Sequence, residues 1–244
     1  RLYVLDFEGD LKASGVDALG EEITAVLTLA SPQDEVLIRI DNGGGVVHGH
    51  GLAASQLTRL TDQDIPLTVS IDKVAASGGY MMACVADKIV AAPFAIVGSI
   101  GVLAQIPNFH RLLDRAGVDF EMVKAGEHKR SLTFFGENTD EDREKMQSDV
   151  EGVHELFKRF VCEQRPSLDI NAVATGEHWY GTEALDKGLI DVLGTSDDYL
   201  MKAAKERDIY TIHLAEKKPL SERLATMVSL SVEKIWERLL IRTQ

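Results

Sequence analysis

Short apolar runs recur along the chain at Leu2–Phe7, Val36–Ile40, Leu67–Ile71, Lys88–Ala92 and Asp119–Val123, each of a length that suits a β-strand. Between several of them the period shifts to that of a helix. Val16–Leu29 brings Leu19, Ile23, Val26 and Leu27 to one face before Pro32 closes it, and Leu52–Leu60 does the same with Ala53, Gln56, Leu57 and Leu60. Strand and helix in alternation predict an α/β fold with a mostly parallel sheet. The unbroken run Val36-Leu37-Ile38 suits a strand covered on both faces. After residue 138 the pattern turns mainly helical. Thr139 is a fitting N-cap, and Asp140, Glu141 and Asp142 suit the positive end of a helix that should run to about Gln164, before Pro166. A strand at Ile209–Leu214 follows. The segment Leu220–Arg242 is amphipathic. It reads as a helix docked on the body or on a neighbouring subunit, with Glu222, Glu233 and Glu237 diluting the charge a membrane-surface helix would carry. No repeat or low-complexity linker divides the 244 residues, so 1–244 reads as one domain whose part 139–244 is mainly helical.

Composition narrows the function classes. With 26 lysines and arginines against 39 aspartates and glutamates, the net charge of −13 argues against nucleic acid, which needs a phosphate-neutralising surface. No apolar run of 18 residues is present. Cys84 and Cys162 have no disulfide-framework or zinc spacing, and each reads as a buried free thiol in an apolar helical pattern. The chain opens at Arg1, without methionine, directly on an apolar strand, which reads as a processed or truncated start.

Three glycine-rich turns follow strand signals: Asp41-Asn42-Gly43-Gly44-Gly45, Ala75-Ala76-Ser77-Gly78-Gly79-Tyr80 and Gly98-Ser99-Ile100-Gly101. Glycine admits positive φ and close backbone approach, and a strand–turn–helix junction leaves N–H groups free for an anion. Such turns are compatible with a phosphate site, an oxyanion hole or plain chain reversal. Neither G-x-x-x-x-G-K-[ST] nor G-x-G-x-x-G is present. Ser77, between two small residues and two glycines, resembles a nucleophile elbow, although Ala75 stands where G-x-S-x-G has its first glycine. A serine nucleophile needs a base. Of the seven histidines, His48 and His50 follow the first turn and are candidate pocket liners, and none of the seven, which include His110, His128, His154, His178 and His213, is paired with an acid at a telling spacing. Lys129 is the other candidate, since a lysine taken out of water can lose its proton near neutral pH. Ser99 could then orient the amine, and a surface lysine beside Arg130 is the plainer reading.

The residues Val46-Val47-His48-Gly49, Ala75–Tyr80, Gly98–Val102 and Ala125-Gly126-Glu127-His128-Lys129 resemble the motifs of the signal peptide peptidase A family, serine–lysine peptidases of the Clp-protease/crotonase superfamily. Pro166–Ile170, Ala174–Gly181 and Gly188–Asp191 are similar to its SohB-type membrane peptidases, so the resemblance runs over essentially the whole chain. It implies a spiral of strand-strand-helix units with C-terminal helices. It further implies Ser77 as nucleophile, Lys129 as general base, Ser99 as the serine bonding that lysine, and the amides of Gly44 and Gly78 as oxyanion hole. No cofactor or metal is implied. Substrates would be signal peptides or other membrane-released peptides with apolar or small side chains. The resemblance also implies a homo-oligomer, held by an N-terminal inner-membrane anchor absent from this chain, with the peptidase domain outside the cytoplasm. Residues 131–138, with Phe134 and Phe135, are expected to form a mobile rim near Lys129.

One departure stands out. The family usually carries serine-proline-glycine-glycine at the first turn, and here Asn42-Gly43-Gly44-Gly45 replaces it. Gly43 in place of proline loosens the turn and the Gly44 amide with it. A catalytically weak or inactive assembly homologue is therefore one alternative to a peptidase. A crotonase-type acyl-CoA enzyme and a histidine-based serine esterase are the others.

Overall fold

A computed structural model describes residues 1–126, 129 and 131–215. Arg1–His213 form one compact unit, and the amphipathic segment at Leu220–Arg242 lies outside the described residues.

In chain order the elements are β1 (Leu2–Gly9), α1 (Val16–Leu29), β2 (Glu35–Asn42), α2 (Val47–Thr61), β3 (Leu67–Ile71), β4 (Val74–Ala76), α3 (Gly78–Ala83), β5 (Lys88–Ala91), β6 (Ile96–Gly98), α4 (His110–Arg115), α5 (Asp140–Gln164), α6 (Ile170–Val173), β7 (His178–Tyr180), α7 (Gly181–Asp186), β8 (Val192–Leu193), α8 (Ser196–Ala203) and β9 (Ile209–Thr211). This is the expected α/β architecture with a mostly parallel, curled sheet, every strand pair being parallel except β6–β7.

The sheet forks at β2. One edge of β2 pairs with β1 along its whole length, from Glu35 to Asn42. The other edge pairs with β3 through Val36–Arg39 and then, at Asn42, with Ala75 of β4. From there β3 continues to β5 and β8, while β4 continues to β6 and β7. Two strands in succession, one for each branch, followed by a helix, give the strand-strand-helix unit. The core fills the space inside, with Leu5, Ile38 and Ile40 of the sheet meeting Leu19, Ile23 and Val26 of α1 and Ala53, Leu57 and Leu60 of α2.

The helix Val16–Leu29 has the bounds its pattern predicts, and α5 starts on a capping box between Thr139 and Asp142. Helix α2 begins at Val47 rather than Leu52. The predicted strand at Asp119–Val123 does not form: the segment lies outside the sheet, and Val123 is 99% exposed. β-propensity becomes a strand only where a neighbouring edge satisfies its backbone, and none is offered there. Cys84 is buried as expected, its thiol pushed up by that burial, and Cys162 is only half-buried.

A clamp fixes the helix that follows Ser77. Tyr80 Oη–H donates to Leu189 O at 2.9 Å from within the core. The turn carrying Leu189 is held in turn by Asp191, which accepts from Arg165 (Nη2 at 2.6 Å, Nη1 at 2.9 Å) and from Ile89 N–H at 2.7 Å. Burial alone would raise the Asp191 carboxyl, but the Arg165 guanidinium and the Ile89 amide outweigh it and hold the group below its usual value. A carboxyl lowered in this way stabilises the fold above its unfolded pKa, and that contribution is lost as pH falls through the folded one. Asp191→Asn is therefore expected to cost about 1–2 kcal/mol at pH 7. The gap to wild type should narrow on acidification below about pH 4. Urea unfolding at several pH values measures this, and a gap independent of pH would contradict it.

Candidate active site

Strands β2, β4 and β6 lie side by side, with Asn42 opposite Ala75 and Ala76 opposite Gly98. Their carboxyl ends therefore deliver the three glycine turns to one place, the usual position for a site in a parallel sheet. Gly43, Gly44, Gly45, Ser77 and Ser99 all line one open cleft of about 980 Å3. Apolar side chains of Leu11, Val46, Val47, Val102 and Leu103 also line it.

Ser77 sits at φ +51°, ψ −117°, between β4 and α3. Its N–H donates to Gly98 O at 2.7 Å, and its carbonyl accepts from Met81 N–H at 2.9 Å. These two bonds pin a backbone conformation that costs a non-glycine residue roughly 1–3 kcal/mol. The reversal is possible only because its neighbours lack side chains. A Cβ on Gly44, at φ +88°, would come 2.7 Å from Ala76 O and 2.8 Å from Gly78 N, and one on Gly79 would come 2.1 Å from Asn42 O.

The two expected oxyanion amides differ. Gly78 opens α3, and its N–H has no acceptor among the described residues. Gly44 N–H donates to Asn42 Oδ1 at 2.8 Å, so in this conformation it is engaged rather than free. The cause is local: an asparagine side chain readily bonds the backbone two residues on.

Ser99 also has positive φ, +52°, and lines the cleft, but its Oγ–H lies 3.5 Å from Gly176 O and meets no lysine among the described residues. Lys129 is exposed, donates its N–H to Gly126 O at 3.2 Å, and is not among the residues that line the cleft. The adjoining Glu127, His128 and Arg130 lie outside the described residues. Residues 101–138 have few core contacts to hold them against the cleft, and Leu103, Phe109, Leu112, Val118, Phe120 and Val123 are all exposed. Nor is the segment 131–138 an unbonded loop. Thr133 accepts from Gly136 N–H at 2.9 Å, and Asn108 Nδ2 donates to Thr133 O and Gly136 O. Phe135 packs on Phe109 and Phe120.

The two histidines after the first turn separate. His48 lines the cleft, as expected, whereas His50 is fully buried beneath it. His154 of α5 joins the lining from far along the chain, with Nε2 3.3 Å from Ile100 O, and no local pattern in the sequence pointed to it. Among the described residues no cluster of three or more His, Cys, Asp or Glu could hold a metal.

Residues 59–210 match peptidase family S49, and residues 1–57 match the N-terminal part of that family. The chain is 54% identical over 229 residues to the probable protease SohB of Buchnera aphidicola subsp. Acyrthosiphon pisum (strain APS), covering 94% of this chain and 68% of that protein. It is 52% identical over 237 residues to the probable protease SohB of Haemophilus influenzae, covering 97% and 67%. The putative signal peptide peptidase SppA of Enterococcus faecium is more distant, at 30% identity over 186 residues, covering 75% of this chain and 54% of that protein. Among solved structures, a lysine-to-alanine mutant of the 1510-N membrane-bound stomatin-specific protease, in complex with a substrate peptide, shares the fold. It superposes with a TM-score of 0.54 at 15% identity over 93% of this chain and 96% of that one.

The strained turn makes its own prediction. Ser77→Gly should be more stable than wild type by about 1–2 kcal/mol, because glycine adopts positive φ without the side-chain penalty. Ser77→Ala should show no such gain. Chemical denaturation measures both, and a Ser77→Gly protein no more stable than Ser77→Ala would mean that the turn is not strained.

Proposed function

The chain belongs to peptidase family S49 and is of the SohB type, and from that premise we propose that it is a serine endopeptidase with Ser77 as nucleophile and Lys129 as general base. The observation that carries the reading is Ser77 on a pinned positive-φ turn, lining a cleft beside a free backbone N–H at Gly78.

In the mechanism, Ser77 Oγ attacks the peptide carbonyl carbon and its proton passes to the neutral Lys129 amine. The tetrahedral oxyanion is held by Gly78 N–H and, once released from Asn42, by Gly44 N–H. The Lys129 ammonium then protonates the leaving amine as the C–N bond breaks. Water attacks the acyl-enzyme as the amine takes its proton, and the ammonium passes that proton to Ser77 Oγ as the ester C–O bond breaks, restoring the free hydroxyl and the neutral amine. The apolar lining from Leu11, Val46, Val102 and Leu103 supports substrates with apolar or small side chains, such as membrane-released signal peptides.

A neutral amine requires that Lys129 be withdrawn from water. The exposed apolar arm of residues 101–138 supports a homo-oligomer in which a second copy covers the arm and completes the site. Ser99 would orient the amine there. Attachment to a membrane, with the peptidase part outside the cytoplasm, extends this reading by analogy with the membrane-bound 1510-N protease. No helix among the described residues is long and apolar enough to cross a membrane.

Two observations support other readings. His48 and His154 share the cleft with Ser77, as a histidine-based esterase would need, and the engaged Gly44 amide would suit a catalytically weak assembly homologue. Cleavage of an apolar peptide by the assembled protein separates the three. Ser77→Ala and Lys129→Ala should each lower kcat about 10^3-fold or more while remaining folded. The rate should rise with pH as the base loses its proton, and His48→Gln and His154→Gln should leave that limb in place. Activity retained by Ser77→Ala would overturn the mechanism. A limb abolished by a histidine variant and kept in Lys129→Ala would select the esterase. An assembled wild type without activity would select the scaffold.

A further inference from the structure

Beneath the oxyanion turn lies a polar pair that the mechanism above does not use. Asn42 is 1% exposed and His50 is 0% exposed. Three glycines make room for them. A Cβ on Gly9 would come 2.3 Å from Asn42 Cγ, one on Gly79 would come 3.2 Å from Asn42 Cβ, and one on Gly78 would come 2.4 Å from His50 Cγ. The pair therefore touches both turns whose amides the oxyanion needs.

Its hydrogen bonding is unbalanced. His50 Nδ1 lies 3.0 Å from Val46 O, and a carbonyl can only accept, so Nδ1 carries a hydrogen. In the neutral ring Nε2 is then an acceptor. Yet it lies 3.2 Å from Asn42 Oδ1, which is an acceptor too and already receives Gly44 N–H. Protonating both nitrogens would place a cation in the core with only carbonyl oxygens for partners, at a large desolvation cost. The other remedy is rotation of the Asn42 carboxamide. Asn42 Nδ2–H then donates to His50 Nε2, and Nδ2 takes the place where Oδ1 met Gly44 N–H. Two donors face each other there, so the Gly44 amide has to leave. In the orientation shown, Nδ2–H has only Met82 Sδ, 3.5 Å away, so little is lost on that side by turning.

We propose that Asn42 and His50 are positioning residues of the oxyanion turn, the orientation of the Asn42 carboxamide against neutral His50 deciding whether Gly44 N–H is held inward or released to the cleft. The held state is the one in this structure. The released state supplies the second donor of the peptidase mechanism, and the inference rests on that mechanism.

The test compares kcat and KM of the assembled protein on an apolar peptide. In His50→Leu nothing draws the carboxamide round, so Gly44 stays held, and kcat should fall about 10^2-fold with KM little changed. Asn42→Asp, which can only accept, should do the same. In the Asn42→Leu/His50→Leu double variant no acceptor remains to hold the amide, so kcat should recover to within a few-fold of wild type. Replacing both members of a buried polar pair by apolar groups is also the change the fold tolerates best. Affinity for a peptide boronate, whose tetrahedral adduct needs the same donors, should follow kcat across the series. A double variant as impaired as His50→Leu, or an Asn42→Asp variant with wild-type kcat, would overturn the proposal, since the pair would then be no more than core packing. The peptidase reading fails separately, when wild type and Ser77→Ala are equally inactive.

Discussion

Along one edge, β2 bonds β3 through Val36–Arg39 and then β4 through Asn42, and this division of a single strand between two partners is what the rest of the structure depends on. A backbone edge can be shared only if the second strand breaks, and Asp72-Lys73 between β3 and β4 is that break. The same break recurs between β5 and β6, so each branch of the sheet receives one strand in turn. The parallel branch β2–β4–β6 then aligns three carboxyl ends, each followed at once by a glycine turn. The site follows from the fork, because the side-by-side pairing of β2, β4 and β6 is what brings residues 43–45, 77 and 99 together.

Backbone proximity is the second constraint. At Gly44 and Gly79 the chain passes within contact of other backbone atoms, and at Gly78 within contact of the His50 ring, so no side chain fits at any of the three. Ser77 and Ser99, which do carry side chains, sit at positive φ, Ser77 directly before Gly78 and Ser99 directly after Gly98. The strain at Ser77 is carried by bonds on both sides, to Gly98 and from Met81, and by Tyr80 anchored to Leu189. A serine held in this way keeps its place while water, substrate and product exchange around it, which is what a nucleophile requires.

The cleft is lined by the glycine turns at the ends of the sheet strands and, from the segment that follows β6, by Gly101, Val102 and Leu103. Here the chain carries large apolar groups into solvent, Leu103 at 75% exposure among them, beside an aromatic cluster of Phe109, Phe120 and Phe135. In the homo-oligomer proposed above, a second copy would bury that display. In the proposed mechanism serine and lysine have opposite needs: the nucleophile needs rigidity, and the amine needs to be out of water. The fold supplies the first from its own core, and the second falls to whatever covers the arm.

How much of this was legible beforehand follows from how local each feature is. The bounds of α1, the capped start of α5, the apolar strands β1 to β3 and the three glycine turns follow from neighbours in the chain, because periodicity, capping and positive φ are local requirements. The fates of His48 and His50 were within reach as well. With α2 starting at Val47, His50 falls at helical spacing from buried Ala53, Ala54 and Leu57, while His48 lies some 200° around the helix. Placing the start at Leu52 hid that. The strands of three residues, β4 and β6, are too short to show a period, and Asp119–Val123 shows one without having an edge to join. By itself, then, the sequence determined the α/β class, the three glycine turns and the residue types that line the cleft. Tertiary structure alone decided that Gly78 N–H is free among the described residues while Gly44 N–H is held, that His154 reaches the cleft, and that Lys129 is not among the residues lining it. Those outcomes turn on which backbones and side chains meet across long stretches of chain, and such meetings are set by strand pairing and burial rather than by any run of neighbouring residues.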